Sequence, residues 1–247
     1  IEKLNIEEIK PSSRRYPGII FEMIRESGDQ ILNINDIIFN EINKPLNFTL
    51  NKGNKVVLYS KDSKITSKFY EIINGNDNNF KGSFNWGSTI SQSYLPLNND
   101  IYFNKNINLI EWLRQWSNND EEREEVFIRG FLGKMIFSGE EALKSCNVLS
   151  GGEKVRCILS KMMMEKSNFL MLDEPTNHLD LETIQTLNNS LIRFKGNIIL
   201  TTHDFEFANS LGNRIIEIGK KGFIDKLMSF EDYLADNKIK LLREGIY

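Results

Sequence analysis

The chain has 247 residues, of which 40% are hydrophobic and 26% are charged, and its formal net charge is −3. This composition is ordinary for a soluble globular protein with a full core, and it excludes a polybasic nucleic-acid binder as a description of the whole chain. The longest apolar runs are too short to cross a bilayer and no signal-peptide pattern opens the sequence, so we expect a cytoplasmic protein without direct membrane insertion.

Residues 1–24 are charged and include PSSRRYPG at 11–18, whose breakers predict that residues 1–30 are the end of a linker rather than a core strand. From residue 31 the alternation in ILNIND, followed by PLNFTL, predicts strands that lead to a turn at 52–54. KVVLY at 55–59 is a continuous apolar run, which is typical of a strand buried on both faces. Residues 84–95 are predicted to be further strand.

Helical spacing dominates the middle of the chain, where we expect a helical subdomain over about residues 98–148. Two stretches carry apolar side chains at i, i+3, i+4 and i+7, and each predicts an amphipathic helix whose apolar face packs in the core. These side chains are Leu109, Trp112, Leu113 and Trp116 in the first stretch, and Val155, Ile158, Leu159 and Met162 in the second.

Two more buried strands, at 169–172 and 197–200, flank a predicted helix at 181–194. Strands that alternate with helices imply an α/β fold with a mainly parallel sheet and right-handed crossovers. The end of the chain predicts a hairpin at 214–227 and then one closing helix over 229–247, with Ser229 as its N-cap.

Three of the predicted buried strands end in polar residues. Ser60 follows the first, Asp173 and Glu174 follow the second, and the third is followed by Thr201 to His203. In an open parallel sheet, ligands bind outside the carboxyl ends of the strands, so these three segments are expected to meet in one crevice.

The chemistry that fits this crevice is phosphoryl transfer to water. Asp173 can hold Mg²⁺ through a water molecule, since Mg²⁺ dehydrates reluctantly. Glu174 can act as the general base on the attacking water, and His203 can orient that water or contact the terminal phosphate. Taken singly, an Asp-Glu pair after a strand is more often a solvated loop, and a lone histidine is more often structural; the combination favours the functional interpretation.

Several motifs carry a resemblance to a known family. In order and spacing they resemble the signature motif, the Walker B strand with its D-loop, and the switch histidine of the nucleotide-binding domain of ABC ATPases. The segments are LSGGEK at 149–154, FLMLDEPTNHLD at 169–180 and LTTHD at 200–204. The resemblance covers roughly residues 31–226.

The resemblance implies a P-loop NTPase fold over residues 31–228, in which a mainly parallel core carries an antiparallel β subdomain and a helical subdomain. It implies ATP and Mg²⁺ as cofactors and ATP hydrolysis as the activity. The implied residues are Glu174 and His203 for catalysis, Asn177 and Asp180 in the D-loop, and Ser67, Gln92 and Asp173 as the metal set, with Gln92 falling where the Q-loop glutamine belongs.

The combination of LSGGEKVR and DEPTNHLD resembles the ABC-F class of that family, soluble proteins with two such domains joined by a helical linker. Members of this class act on ribosomes, so the resemblance implies the ribosome and tRNA as partners. The segment at 11–18 then lies where a linker would enter the second domain. The chain opens at Ile1 rather than Met, and we expect it to be a piece of a longer polypeptide. Arg14 and Arg15 are candidate RNA contacts, although two solvated linker arginines are an equally good interpretation.

The signature residues Ser150, Gly151, Gly152 and Glu153 open a predicted helix, and a helix N-terminus binds anions. In the family this half-site serves the γ-phosphate of ATP held by a partner, either a second ABC domain of the same polypeptide or the other copy in a homodimer. The competing interpretation is the ATPase subunit of a membrane transporter, whose partner would be a permease. Transporter domains more usually carry Gln than Glu153 after the two glycines, which disfavours a permease partner.

The phosphate-loop segment, residues 60–67, departs from the pattern G-x-x-x-x-G-K-[ST]. Ser60 replaces the first glycine, Ile65 the second and Thr66 the lysine, so only Ser67 agrees. We therefore expect weak nucleotide binding and slow or absent turnover at this loop, and we expect Ile65→Gly with Thr66→Lys to raise ATP affinity. The candidate nucleotide-binding residues are Ser60, Lys61, Asp62, Ser63, Lys64, Ile65, Thr66, Ser67 and Gln92.

Overall fold

The computed structural model describes residues 16–247. Arg14 and Arg15 lie outside the described residues, so their contact with RNA stays a prediction.

The described strands form two sheets. One is antiparallel with the order β2-β1-β4, and the other has the order β5-β6-β7-β3-β8-β9 and is parallel except for its last pair. The strands are β1 Gln30–Ile38, β2 Leu46–Asn51, β3 Lys55–Tyr59, β4 Lys81–Trp86, β5 Gln92–Leu95, β6 Phe169–Asp173, β7 Asn197–Thr201, β8 Arg214–Gly219 and β9 Gly222–Lys226.

Helices cover both faces of the larger sheet, and a group of short helices packs beyond β5. Among the described residues, three short 3₁₀ helices connect the elements of that group. The α-helices are α1 Ser63–Ile73, α2 Leu109–Arg114, α3 Asp120–Arg123, α4 Glu125–Lys134, α5 Gly151–Glu165, α6 Leu181–Arg193, α7 Phe205–Leu211, α8 Phe230–Ala235 and α9 Asn237–Ile246.

The α/β class with a mainly parallel core and an antiparallel β subdomain is confirmed. The strands β3, β6 and β7 lie side by side at the centre of the larger sheet, and every residue of β6 and β7 is buried. Burial on both faces accounts for their continuous apolar sequences. The amphipathic face of α5 is confirmed, since its four apolar side chains are buried in one hydrophobic core. Leu109, Trp112 and Leu113 lie in α2 and are buried in the same core, whereas Trp116 lies beyond the end of α2 at Arg114 and packs partly buried against that core.

Two predicted elements are wrong in extent. Residues 84–95 are not one strand, because β4 ends at Trp86 and β5 begins at Gln92 in the other sheet. Gly87 permits this change of direction, since a Cβ there would lie 2.3 Å from the carbonyl oxygen of Gln30. The closing helix is also two helices: Ser229 caps α8 as predicted, but Asp236 ends α8 and caps α9 by accepting bonds from the next turn.

The segment before β1 packs on the helical group. Ile19 and Phe21 are buried in its core, and the Gly18 amide donates to the carbonyl oxygen of Lys134 at 2.6 Å. A linker boundary at residue 30 stays a prediction.

Candidate functional site

The carboxyl ends of β3, β6 and β7 meet in one crevice, as the parallel topology requires. The crevice has a volume of only about 10 Å³. Its walls come from the three predicted segments and from the start of α1, namely Leu58, Tyr59, Ser60, Ser63, Thr66, Glu174, Thr201, Thr202 and His203.

Asp173 is the buried carboxylate at the floor of this site. Its Oδ1 accepts from the Thr201 hydroxyl at 2.6 Å, and its Oδ2 accepts from the Ser67 hydroxyl at 2.8 Å. Burial raises the pKa of Asp173, while the two hydroxyl bonds act in the opposite direction. The structure thus places Ser67 and Asp173, two members of the predicted metal set, in direct contact, and their role as metal ligands stays a prediction.

Glu174 and His203 lie together beside the crevice. The Glu174 Oε1 is 3.4 Å from the His203 Nε2, and its Oε2 accepts from the His203 amide at 3.3 Å. Glu174 has a φ of 52°, a backbone conformation that non-glycine residues seldom adopt. Its amide donates to the Thr201 hydroxyl at 3.0 Å, which fixes this turn against β7.

The Glu174 side chain is nearly buried, and this burial raises its pKa, partly offset by His203 and increased further by Asp173. When folding raises the pKa of a carboxyl group, the charged form of that group is less favourable in the folded protein than in the unfolded chain. The charge therefore lowers the free energy of unfolding above the folded-state pKa, and this loss shrinks as the pH falls through that pKa. We therefore expect Glu174→Gln to raise the melting temperature at pH 7.5 by about 2–4 °C, and we expect the difference to shrink as the pH approaches 4.

The measurement is a thermal melt of both proteins across that pH range. The matched control is Glu206→Gln, which changes an exposed carboxylate in the first turn of α7; because a negative charge there favours the helix, this change should not raise the melting temperature. A lower melting temperature for Glu174→Gln at pH 7.5 would show that the charged form of Glu174 is favoured by its surroundings, contrary to our expectation.

The phosphate-loop segment has no open cradle, because four of its backbone amides, those of Lys61, Asp62, Lys64 and Ile65, already have partners within the chain. Only residues 60–62 form a loop, and α1 begins at Ser63. The amide of Lys61 donates to the Tyr247 hydroxyl at 2.9 Å, and the amide of Asp62 donates to the Ser60 hydroxyl at 3.2 Å. The amides of Lys64 and Ile65 donate to the side chain and carbonyl oxygen of Asp62, both at 3.0 Å.

Asp62 occupies the position where the first turn of α1 would otherwise bind an anion. Its carboxylate is the N-cap of the helix, and a carboxylate there satisfies the amides and the helix dipole that a phosphate would use. Ile65 and Thr66 are buried, and the Thr66 hydroxyl donates to the carbonyl oxygen of Ser63. The nearby lysines also point elsewhere: Lys61 lies over the Tyr247 ring and Lys68 pairs with Asp77.

Gln92 is not brought to the site, so its assignment to the metal set and to nucleotide binding is corrected. Gln92 opens β5 and pairs with Phe169, the first residue of β6, whereas Asp173 is the last residue of that strand. Four residues of strand separate the two positions by about 13 Å. The residue beside the site is Leu97, whose backbone hydrogen bonds to Asp173.

Ser67 and Asp173 offer the hard oxygen ligands that Mg²⁺ prefers. They supply one hydroxyl and one carboxylate, and magnesium held by so few protein oxygens normally takes its remaining ligands from phosphates and water. These residues fit Mg²⁺ as a companion of a bound nucleotide and not as a resident ion. Within residues 16–247 the structure shows no cluster of three or more metal-ligating side chains.

The signature residues form an exposed helix N-terminus at the start of α5. Ser150 is the N-cap, and Glu153 completes a capping box: the Ser150 amide donates to Glu153 at 2.9 Å. The Lys144 ammonium lies 2.8 Å from the other oxygen of Glu153. Burial alone would raise the pKa of Glu153, but Lys144 and Ser150 lower it to about 2. Glu153 is therefore a permanently charged part of this cap.

His178 is a residue of this site that sequence reasoning missed. Its carbonyl oxygen lies 2.5 Å from where a Cβ on Gly152 would be, and its ring lies 3.0 Å from a Cβ on Gly151. The D-loop thus rests directly on the signature glycines. Asn177 is exposed and its amide donates to the Glu174 carbonyl oxygen at 3.1 Å, while Asp180 caps α6. The signal available in the sequence was that the chain has only one histidine besides His203; the positive φ of 65° at His178 is visible only in the structure.

Comparisons with known proteins agree with these motifs. The family model described as ABC transporter matches residues 43–177. The chain is 44% identical over its whole length to the ABC transporter ATP-binding protein YkpA of Bacillus subtilis (strain 168), of which it covers 46%. It is 28% identical, over 99% of its length, to the ABC transporter F family member 2 of Arabidopsis thaliana, of which it covers 37%. The chain thus spans less than half the length of these relatives.

A solved structure shares the fold. It is a dimeric ATP-binding cassette in a post-hydrolysis state bound to ADP and Pi, with a TM-score of 0.64 and 16% identity over 81% of this chain and 99% of that one. In the described part of this chain, no helix is long and apolar enough to span a membrane.

Proposed function

This chain belongs to the ABC transporter family of ATP-binding domains, and we propose that it is the second ATP-binding domain of a cytoplasmic ABC-F-type protein that binds the ribosome in an ATP-gated manner. In this proposal the chain completes an ATP site on a second ABC domain, either in the same polypeptide or in a homodimer partner. Turnover at its own phosphate loop is weak or absent.

The observation that carries the proposal is the contrast between the two halves of the chain's ATP machinery. The amides of Lys61, Asp62 and Lys64 in the phosphate-loop segment donate to Tyr247, Ser60 and Asp62, and the crevice beside them has room for little more than one water molecule. The N-terminus of α5 at Ser150 is by contrast exposed to solvent. One half is available to a nucleotide held by a partner, and the other is closed.

The ABC-F assignment is supported by the motif pair LSGGEKVR and DEPTNHLD and by the similarity to an F family member. The capping box adds a physical reason for Glu153, because its carboxylate bonds both the amide and the hydroxyl of Ser150. A glutamate that holds the N-cap serine in this way fixes the direction in which the α5 amides point.

The mechanism follows from these residues. ATP and Mg²⁺ held by a partner domain would meet the N-terminus of α5, where the amides of Gly151 and Gly152 would bind the γ-phosphate and the Ser150 hydroxyl would do so on turning away from Glu153. Because these contacts require both domains to meet around the nucleotide, bound ATP would hold the pair closed, and hydrolysis to ADP and phosphate would release it. Closure of the pair sets the position of the linker on the ribosome.

The test is ribosome co-sedimentation of the complete protein that carries this chain, with Glu174→Gln and the equivalent change in the other ABC domain to slow hydrolysis. We expect pelleting with ribosomes in MgATP and little pelleting without nucleotide. The control is Ser150→Ala, which removes the signature hydroxyl and the N-cap and should reduce ATP-dependent pelleting while leaving the fold intact, as checked by circular dichroism.

No association in either nucleotide state would remove the ribosome proposal. Co-purification with a membrane permease would instead support the transporter interpretation. The two outcomes are separated by the fraction in which the protein is recovered, since ribosomes and membranes sediment differently in a density gradient.

A further inference from the structure

A buried charge under the C-terminal helices has no part in the proposed ATP chemistry. Glu217 in β8 is fully buried, and an isolated buried carboxylate is costly unless it is paired. It accepts from the Tyr233 hydroxyl at 2.7 Å and from the Tyr247 hydroxyl at 2.8 Å, and Arg243 Nε forms an ion pair with it at 2.7 Å. All three partners come from α8, α9 and the residue that follows α9.

The end of α9 is seated firmly on the hairpin of β8 and β9. The amide of Lys221 donates to the carbonyl oxygen of Ile246 at 2.7 Å. A Cβ on Gly219 would lie 2.3 Å from that same oxygen, so only glycine permits the approach. This seat places Tyr247 between Glu217 and the phosphate-loop segment.

Tyr247 contacts the loop with both its hydroxyl and its ring. The hydroxyl donates to Glu217, accepts from the Lys61 amide at 2.9 Å and hydrogen bonds to Ser60. The Lys61 ammonium lies 4.2 Å from the centre of the Tyr247 ring, a cation–π contact. Burial, together with the charge of Glu217, raises the pKa of Tyr247 well above its usual range.

We propose that Tyr247, oriented by Glu217, is a specificity-determining residue that excludes phosphate groups from this chain's own loop. The Tyr247 hydroxyl accepts the hydrogen bond of the Lys61 amide, which a phosphate oxygen would otherwise accept. The Tyr247 ring holds the Lys61 ammonium away from the crevice. The loss of glycines and lysine from the motif does not by itself explain this exclusion. We assign it to Tyr247, which lies about 180 residues further along the chain and contacts the backbone of the loop. The inference rests on the proposed function in one respect, that residues 60–67 are the chain's own phosphate loop.

The geometry also predicts a hierarchy of effects. Removing only the hydroxyl frees the Lys61 amide while the ring still holds the Lys61 side chain. Removing the whole side chain frees both donors. A charge-assisted hydrogen bond to phosphate is stronger than the neutral bond it replaces, so each freed donor should tighten phosphate binding.

The experiment titrates inorganic triphosphate with Mg²⁺ into the chain by calorimetry. We expect Tyr247→Phe to bind about tenfold more tightly than the unaltered chain, and Tyr247→Ala to bind more tightly again. The matched control is Tyr233→Phe, which removes the same kind of hydrogen bond from the same carboxylate but contacts Glu217 and not the loop. We expect Tyr233→Phe to leave the affinity unchanged.

An unchanged affinity for triphosphate in Tyr247→Phe would overturn the inference. An equal gain in affinity in Tyr233→Phe would also overturn it, because the effect would then come from a general loosening around Glu217. Hydrogen exchange of the unaltered chain supplies a measurement that needs no variant: the Lys61 amide should be protected, and exchange at the rate of an unstructured amide would equally overturn it. These readouts do not involve the ribosome or the signature half-site. Failure of co-sedimentation therefore leaves this inference standing, and its own failure leaves the composite ATP site intact.

Discussion

Replacing Ile65 with glycine is expected to lower the free energy of unfolding by about 3–5 kcal/mol, because this side chain belongs to the core and not to an open loop. Ile65 is 3% exposed in the third position of α1 and packs in the same hydrophobic cluster as Phe69 and Val56. Deleting a large aliphatic side chain from a core leaves a cavity, and glycine in a helix adds a further cost in backbone entropy.

Urea denaturation of the two proteins measures this difference from the transition midpoint and the slope. Ile65→Val is the matched control, since it removes one methylene group and should cost about 0.5–1.5 kcal/mol. A loss for Ile65→Gly no larger than that of the valine variant would mean that residue 65 is exposed in solution and that the loop is open.

The burial of Ile65 also affects the double variant Ile65→Gly with Thr66→Lys, which would restore the phosphate-loop motif. Thr66 is 4% exposed and faces a crevice too small for a lysine side chain. The gain in ATP affinity predicted from the sequence must therefore be measured where the double variant remains folded, because the two changes remove a core side chain and insert a charge into the crevice that Thr66 lines together with Glu174.

The centre of the fold could be predicted because its signals are local. The apolar runs of β3, β6 and β7 and the polar residues that end them follow directly from burial on both faces of a parallel sheet. That is why Ser60, Asp173 and Glu174 meet as the sequence indicates. The carboxyl-end rule needs no knowledge of side-chain packing.

Other features depended on signals that are weak or non-local. The assignment of Gln92 to the site was wrong because nothing in the sequence marks where β5 begins. An error of four residues along a strand moves a side chain from the carboxyl end of the sheet to its amino end. The start of α1 at Ser63 had a local signal in Asp62, a good N-cap residue, although residues 60–67 align with a phosphate-loop motif. The contact of Tyr247 with the Lys61 amide joins distant segments and could be found only in the structure.

The close approach of the D-loop to the signature glycines leads to the second large effect. Gly152→Ala is expected to lower ATP hydrolysis by the complete protein about a hundredfold, because its Cβ would lie 2.5 Å from the carbonyl oxygen of His178. That atom is backbone and belongs to a turn in which Glu174 and His178 both have positive φ, so it cannot move aside without displacing the turn. A misplacement of about 1 Å in groups that contact a reacting phosphate is enough for a loss of this size.

Gly151→Ala is the control that separates this contact from the general effect of adding a methyl group to the signature motif. Its Cβ would meet only the side chain of His178, the ring at 3.0 Å and the Cβ at 3.4 Å, and the exposed ring can rotate away. Hydrolysis should be measured over a range of ATP concentrations, so that kcat and KM are separated for both variants. If Gly151→Ala and Gly152→Ala lose equal activity, both glycines act through their contact with the nucleotide. A large loss confined to Gly152→Ala assigns the effect to the position of the His178 backbone, because only that substitution requires the D-loop to shift.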